Sequence, residues 1–391
     1  MERFTALDSF RGLLAVAVVL FHTYVAQAAS ENPLIANAYL FVEFFFVLSG
    51  FVLMHTYETR LRTLDDYRDF SISRSARILP LHLAMLALYV LLESGRLLAE
   101  QWGINFNDPA FSGATAPEQF LPNLLLLQSW LGEAITGSFN YPSWSISIEY
   151  YLYLVFGLLV LKGQGHHRQW FLVIALLAFL QLLFPVLPLK TEIFRGLSCF
   201  FAGACTYRLY VWIKTHHRRR FGGTLLEVAC LIAAAVVMTA ELPVAKKGVL
   251  ASLVFCLTIL TFAFERGLVS IVLHHRYFVR LGVLSYSIYL GHAAVIFLFK
   301  SAFIVLGKLL HRDLTVVAPS HDAPVPFMIR YIATGSPLLD NLVVLLELVV
   351  VFALACLTYR YIEIPGMALG KRLVRQRHAP PLCEGKIQPQ P

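Results

Sequence analysis

Long stretches of this chain are apolar without a break, and the polar residues gather between them. Runs long enough to cross a bilayer as a helix lie at roughly 7–27, 38–57, 78–98, 143–161, 170–188, 192–212, 223–240, 248–265, 281–306 and 341–362. The pattern predicts an all-α, polytopic transmembrane bundle of about ten helices within residues 1–366. A cytoplasmic tail without fixed structure is expected at 367–391. Pro122 to Trp130 reads as a re-entrant or interfacial piece. The longest outer segments, about 99–142 and 307–340, are rich in Pro, Gly and Asn.

Composition sharpens this picture. Of the 391 residues, 58% are hydrophobic and only 14% are charged; a soluble domain carries about a quarter charged residues. No room remains for a second large soluble domain. The net charge of +8 is no nucleic-acid signature, because membrane proteins hold Lys and Arg in loops that face lipid headgroups. Five of the six cysteines fall in apolar runs and Cys383 falls in the tail, with no CxxC spacing. Neither a disulfide framework nor a metal site is expected.

Loop charges set an orientation. The segments at 58–77, 162–168, 213–222 and 265–280 and the C-terminal tail carry most of the loop Lys and Arg. The positive-inside rule then puts both termini in the cytoplasm and requires an even helix count. Lys246 and Lys247 run against the trend. Arg3 with Ala26-Gln27-Ala28 imitates a cleavable signal, but Asp8, Arg11 and His22 suit a retained helix better. No internal repeat is visible, which weakens a transporter built from inverted repeats.

Inside the first run, Arg11 and His22 face the same way. An eleven-residue offset returns to within roughly 20° after about three turns, some 16 Å along the axis. Ionisable groups at such depth usually face a bundle interior or a wet cavity. Further polar groups are embedded elsewhere: Glu43, Ser49 and Gly50 in the second run, and Arg74, Arg77 and Pro80 at the cytoplasmic start of the third. Trp144, Ser145, Ser147 and Glu149 open the fourth, Tyr286, Tyr289 and His292 lie in the ninth, and Glu363 and Pro365 close the tenth.

Six of these motifs stand in one order: Arg-x10-His, FFVLSGF, Arg-x-x-Arg-Ile-x-Pro-Leu, Trp-Ser-x-Ser-x-Glu, Ser-Tyr-x-x-Tyr-Leu-x-His and Glu-x-Pro. Together, from Leu7 to Pro365, the chain resembles the acyltransferase 3 family of integral-membrane carbohydrate O-acyltransferases. That resemblance implies a multi-pass enzyme of the inner (plasma) membrane. It would move an acyl group, commonly acetyl, from cytoplasmic acyl-CoA to a hydroxyl of an outer carbohydrate or glycoconjugate. The family's common soluble esterase-like extension does not follow Pro365, which implies a membrane domain acting alone or with a partner.

Acyl transfer to an alcohol needs a base for the hydroxyl proton and a positive group for the developing charge. His22, Arg11 and Glu149 are the catalytic candidates. Arg11, Arg74 and Arg77 are the candidates to hold acetyl-CoA, since the Arg fork suits phosphate oxygens. Trp144, Ser147, Tyr289 and His292 are candidates to bind the acceptor. Plainer roles stand beside each: His22 as a packing residue, Arg11 paired with Asp8, and Glu149 at a helix start where acids are favoured. Arg74 and Arg77 also serve as topology charges, Ser49 and Gly50 as close-packing residues, Tyr289 and His292 as packing residues, and Glu363 as an edge pair or cap. The run His216-His217-Arg218-Arg219-Arg220 suits a solvated loop touching anionic lipid. The competing functions are a transporter with buried charges along its path, and an exporter that hands acyl groups to a separate transferase.

The orientation has a direct test. Single cysteines placed in 58–77 and in 213–222 should react with an impermeant maleimide only after the membrane is opened. Labelling of both segments in intact cells would invert the topology.

Overall fold

In the computed structural model the described residues are 3–378, apart from 105, 107, 164, 217–221 and 321–327. Fourteen helices occur among them. The first half holds α1 (Thr5–His22), α2 (Pro33–Ala36), α3 (Phe41–Tyr57), α4 (Leu64–Gln101), α5 (Phe120–Leu124), α6 (Ser143–Lys162) and α7 (His167–Leu183). The second half holds α8 (Thr191–His216), α9 (Thr224–Thr239), α10 (Val244–Phe262), α11 (Leu268–Leu273), α12 (Arg276–Leu310), α13 (Pro337–Thr358) and α14 (Ile364–Arg377). One antiparallel hairpin, β1 (Thr315–Pro319) with β2 (Met328–Ile332), lies between α12 and α13. Seven spans among the described residues are long and apolar enough to cross a membrane, and α7 and α9 are shorter apolar helices. The all-α membrane bundle is therefore observed, with α1, α3, α4, α6 to α10, α12 and α13 on the ten apolar runs.

Three local features depart from expectation. The segment 58–77 is mostly helix, because α4 starts at Leu64 under a capping box between Thr63 and Asp66. Such a box satisfies the first orphan amides of a helix. The helix also carries on past 366: Arg377 pairs with Asp65 at 2.8 Å and Asp69 at 3.0 Å, clamping α14 along α4. Residues 379–391, Cys383 and the run 217–220 lie outside the described residues. Lys247, which ran against the charge trend, is buried and donates to Asn37 Oδ1 at 3.0 Å. Its charge is used inside the fold and does not report on the loop.

Two glycine crossings set the packing. Gly12 on α1 lies against Gly282 on α12, and a Cβ on Gly282 would strike the carbonyl of Asp8. Gly50 on α3 and Gly203 on α8 pack likewise against the Phe200 and Val47 carbonyls. With lipid on both sides there is little hydrophobic drive between helices, so close backbone approach supplies the contact energy. Around the second crossing lies an aromatic core that includes the fully buried Phe44, Phe46, Phe51, Phe156, Phe171, Phe200 and Phe201.

Gly203→Ala places a methyl where the Val47 carbonyl sits, and overpacking costs about 1–3 kcal/mol or more. A clear fall in the thermal midpoint in detergent is expected. Gly132→Ala, which meets nothing within 4 Å, should shift stability by less than about 0.5 kcal/mol. Equal midpoints for the two variants would mean that the α3–α8 crossing is not tight.

Candidate functional site

Two cavities meet between α1, α3, α6 and α12. The first, of about 110 Å³, is lined by Arg11, Ser49, Arg77, Glu149, Tyr153 and Ser285 among others. The second, of about 450 Å³, is lined by His22, Tyr39, Trp144, Glu192 and Arg195 among others. Val42 and Tyr289 line both, so a single layer of side chains divides them. The Tyr289 hydroxyl is bonded to Ser145 Oγ at 2.8 Å, which fixes the ring in that partition.

Position on α1 decides which cavity each predicted residue enters. Arg11 Nε donates to Ser285 Oγ at 2.8 Å and its Nη2 donates to the Gly282 carbonyl at 3.1 Å. Asp8 stands 3.9 Å from Arg11 and is held by Arg3 at 2.9 Å. Arg11 thus bonds neutral oxygens of α12 and also keeps the expected pair with Asp8 at the longer distance. Three turns on, His22 meets His292 of the same helix, with Nδ1 of His22 3.1 Å from Nε2 of His292.

The hydrogen-bond chain fixes the tautomers. The Ile288 carbonyl can only accept, and it lies 3.3 Å from Nδ1 of His292. A neutral His292 therefore carries its hydrogen on Nδ1 and accepts from Nδ1–H of His22 through Nε2. That leaves the basic lone pair of His22 on Nε2. The ring of Tyr141 packs edge-on against His22 at 4.8 Å between centroids.

The other predicted residues divide between the cavities. Arg77 is in the first, bonded to Glu363 Oε2 at 2.7 Å and lying over the Tyr286 ring at 5.5 Å. The expected pair of Glu363 is thus present, and the carboxylate is buried and also accepts from Ser287. Arg74 does not line this cavity; it donates to the Tyr57 hydroxyl at 3.2 Å and lies over that ring. Glu149 accepts from the hydroxyls of Ser49 and Tyr153. It sits in the cavity of Arg11 and not in that of His22. Ser49 thus joins the site, while its neighbour Gly50 serves the helix crossing.

Trp144 lies in the His22 cavity. Ser147 does not: its buried hydroxyl donates to the Leu126 carbonyl at 2.6 Å and ties α6 to the segment after α5. Two helical steps of about 100° each turn it away from the face that carries Ser145 and Glu149. His292 is fully buried, bonds His22 and lines neither cavity.

Sequence reasoning passed over Arg195 of α8. Its Nε donates to Glu43 Oε1 at 2.7 Å and its guanidinium lies 5.0 Å from the Trp144 ring centroid. A cation inside an apolar run was the available signal, the same one that marked Arg11. Tyr153 was passed over as well, and Ser285 entered only as the first residue of the Ser-Tyr-x-x-Tyr-Leu-x-His motif, since hydroxyls in membrane helices are common and need a partner to stand out. Among the described residues no group of three or more His, Cys, Asp or Glu side chains is placed to hold a metal ion.

No solved structure matches the chain. Among curated proteins, "Acyltransferase MdmB" of Streptomyces mycarofaciens is 33% identical over 165 residues, 40% of this chain and 39% of that protein. "Protein 2 in picA locus" of Rhizobium radiobacter is 41% identical over 88 residues, 22% of this chain and 44% of that protein. The chain spans about two fifths of the length of each of these relatives. The family described as an acyltransferase domain matches residues 4–360, which include every residue lining both cavities; Glu363, the partner of Arg77, lies just beyond. This chain therefore belongs to the Acyl_transf_3 family of acyltransferase domains.

Proposed function

We propose that the protein is a multi-pass O-acyltransferase of the inner (plasma) membrane. It moves an acyl group, commonly acetyl, from cytoplasmic acyl-CoA to a hydroxyl of an outer carbohydrate or glycoconjugate. The observation that carries this reading is the pair of cavities with one shared wall: arginines in the first, a histidine dyad in the second. A carrier moving solute or protons has no particular need of two arginines beside the first cavity, whereas a CoA thioester does.

The donor enters the Arg11 cavity from the cytoplasmic side. Arg77 and Arg11 hold its anionic and carbonyl oxygens, and Glu149 with its two hydroxyl donors shapes the wall beside them. Arg74, one turn closer to the cytoplasm, assists from outside the cavity. The acyl carbon reaches the partition at Val42 and Tyr289. Nε2 of His22 takes the proton of the acceptor hydroxyl while its oxygen attacks that carbon. The Tyr289 hydroxyl, on the shared wall, donates to the oxyanion. The C–O bond forms, the C–S bond breaks and CoA thiolate leaves. The proton on His22 is released to the thiolate or to water. His292 holds the ring through Nδ1 and takes no proton itself. Trp144 gives the acceptor an apolar face.

His22→Ala and His22→Gln should each lower acyl transfer by on the order of 10²–10⁴-fold, with CoA binding retained. His292→Phe keeps the ring volume but cannot accept from His22, and should lower turnover less than His22→Gln does. Near-normal turnover in His22→Gln would make His22 structural and shift the chemistry elsewhere.

The donor side is tested separately. Arg77→Lys keeps the charge but loses the fork, so the KM for acetyl-CoA should rise on the order of tenfold, about 1.4 kcal/mol. If both Arg77→Lys and Arg77→Ala bind CoA as the wild type does, Arg77 serves only its pair with Glu363.

A further inference from the structure

Beyond the His22 cavity the molecule opens sideways. A lateral cavity of about 480 Å³ shares Tyr39, Glu192 and Arg195 with the His22 cavity. It also shares Gln181, Leu187 and Phe194 with a third space of about 550 Å³, a groove between α7 and α8. Ile174, Leu177 and Leu197 form much of that groove, and Gln181 is its one polar lining residue.

The polar groups of Gln181 are consumed in shaping the groove. Its Nε2 donates to the Leu187 carbonyl at 3.0 Å, and its Oε1 accepts from the amides of Val186 and Leu187. Lys190 pins the other end of the same loop by donating to the carbonyls of Gln128 and Ala134 at 2.9 and 2.5 Å. The loop is thus tied down at both ends. The groove it borders presents almost only apolar atoms, whereas the cavity behind it is charged. There, Arg195 Nη2 and Glu43 Oε2 are buried without a hydrogen-bond partner, although Arg195 and Glu43 are bonded to each other through other atoms.

Three adjoining cavities, ordered from apolar groove to partly satisfied ion pair to histidine, complement an amphiphile. Bulk lipid has no use for their inner end, and a free sugar has none for their outer end. From Ile174 to Gln181 the groove follows α7 for two turns, about 10 Å, which suits an extended chain better than a compact ring.

We propose that the α7–α8 groove is the membrane-side half of the acceptor site, and that the acceptor is a lipid-borne alcohol. Its alkyl chain lies in the groove, its polar head bonds Arg195 and Glu43, and its hydroxyl reaches His22. This rests on the reading of His22 as the centre of transfer. The fork of Arg195, fixed by Glu43 and stacked on Trp144, supplies N–H donors to the head.

The test uses the full chain in phosphatidylcholine nanodiscs and a decyl glucoside with a diazirine at the end of its chain. Photolabelling, mapped by mass spectrometry, should concentrate on residues 174–197 and fall severalfold under excess unlabelled decyl glucoside. Leu177→Trp, at a position 61% exposed, should block the groove and lower that labelling severalfold without unfolding the protein. Arg195→Met should lower it as well; if loss of the Glu43 partner prevents folding, Leu177→Trp alone decides. Labelling that does not saturate, spreads over lipid-facing helices generally, or is unchanged in Leu177→Trp would overturn the proposal. Acetyl-CoA turnover by the same wild-type sample separates the two readings. Turnover without saturable labelling overturns the lateral site alone, and labelling without turnover overturns the His22 reading on which it rests.

Discussion

A backbone-to-backbone contact between two glycines governs this molecule. Where Gly12 of α1 meets Gly282 of α12, no side chain separates the helices. That proximity lets Arg11 reach the Gly282 carbonyl and Ser285, and lets His22 reach His292. On α1 the two contacts are eleven residues apart, and on α12 they run from Gly282 to His292. The matched direction of these offsets means that the helices run parallel. A larger residue at either glycine would part them and leave a guanidinium without its oxygens in a medium that solvates charge poorly.

The same constraint explains the polar architecture around the cavities. In a membrane interior a charge persists only if another group answers it. Arg77 is answered by Glu363, Arg195 by Glu43, and Glu149 by two hydroxyls. Apart from the Tyr153–Glu149 bond within α6, these pairs join different helices or turns, so the bonds that satisfy charge also position the bundle. Arg77 joins α4 to the turn after α13, and Ser287 of α12 meets the same carboxylate. The cavities lie among these ties because helices held apart by polar side chains cannot also close on one another.

In the proposed reaction the partition is the functional centre of this arrangement. Val42 and Tyr289 alone face both cavities, and Ser145 holds Tyr289 by its hydroxyl. In the proposed reaction a donor from one side of a bilayer and an acceptor from the other approach this one layer. Aqueous continuity between the two faces is not required. A thioester and an alcohol have only to meet across the thickness of a tyrosine ring.

Much of this was legible in the residues. Each of the ten apolar runs became a helix, seven of them in spans long and apolar enough to cross a membrane, because the chain supplies apolar length locally. The shared face of Arg11 and His22 followed from helical periodicity alone, and the ordered motifs pointed to the family before any fold was known. Local rules also misled where they lacked a partner to consult. A capped, charged segment read as loop proved to be the start of α4, and Arg377 carried helix into what read as tail by reaching Asp65 and Asp69. Ser147 and Glu149 lie two residues apart, yet one ties down a loop and the other lines a cavity. His292 stands behind His22 and Arg195 across the cavity from it, on helices far removed in sequence. Periodicity can say which face of a helix a residue occupies; which helix that face meets is decided only when the charges of the whole bundle find their partners.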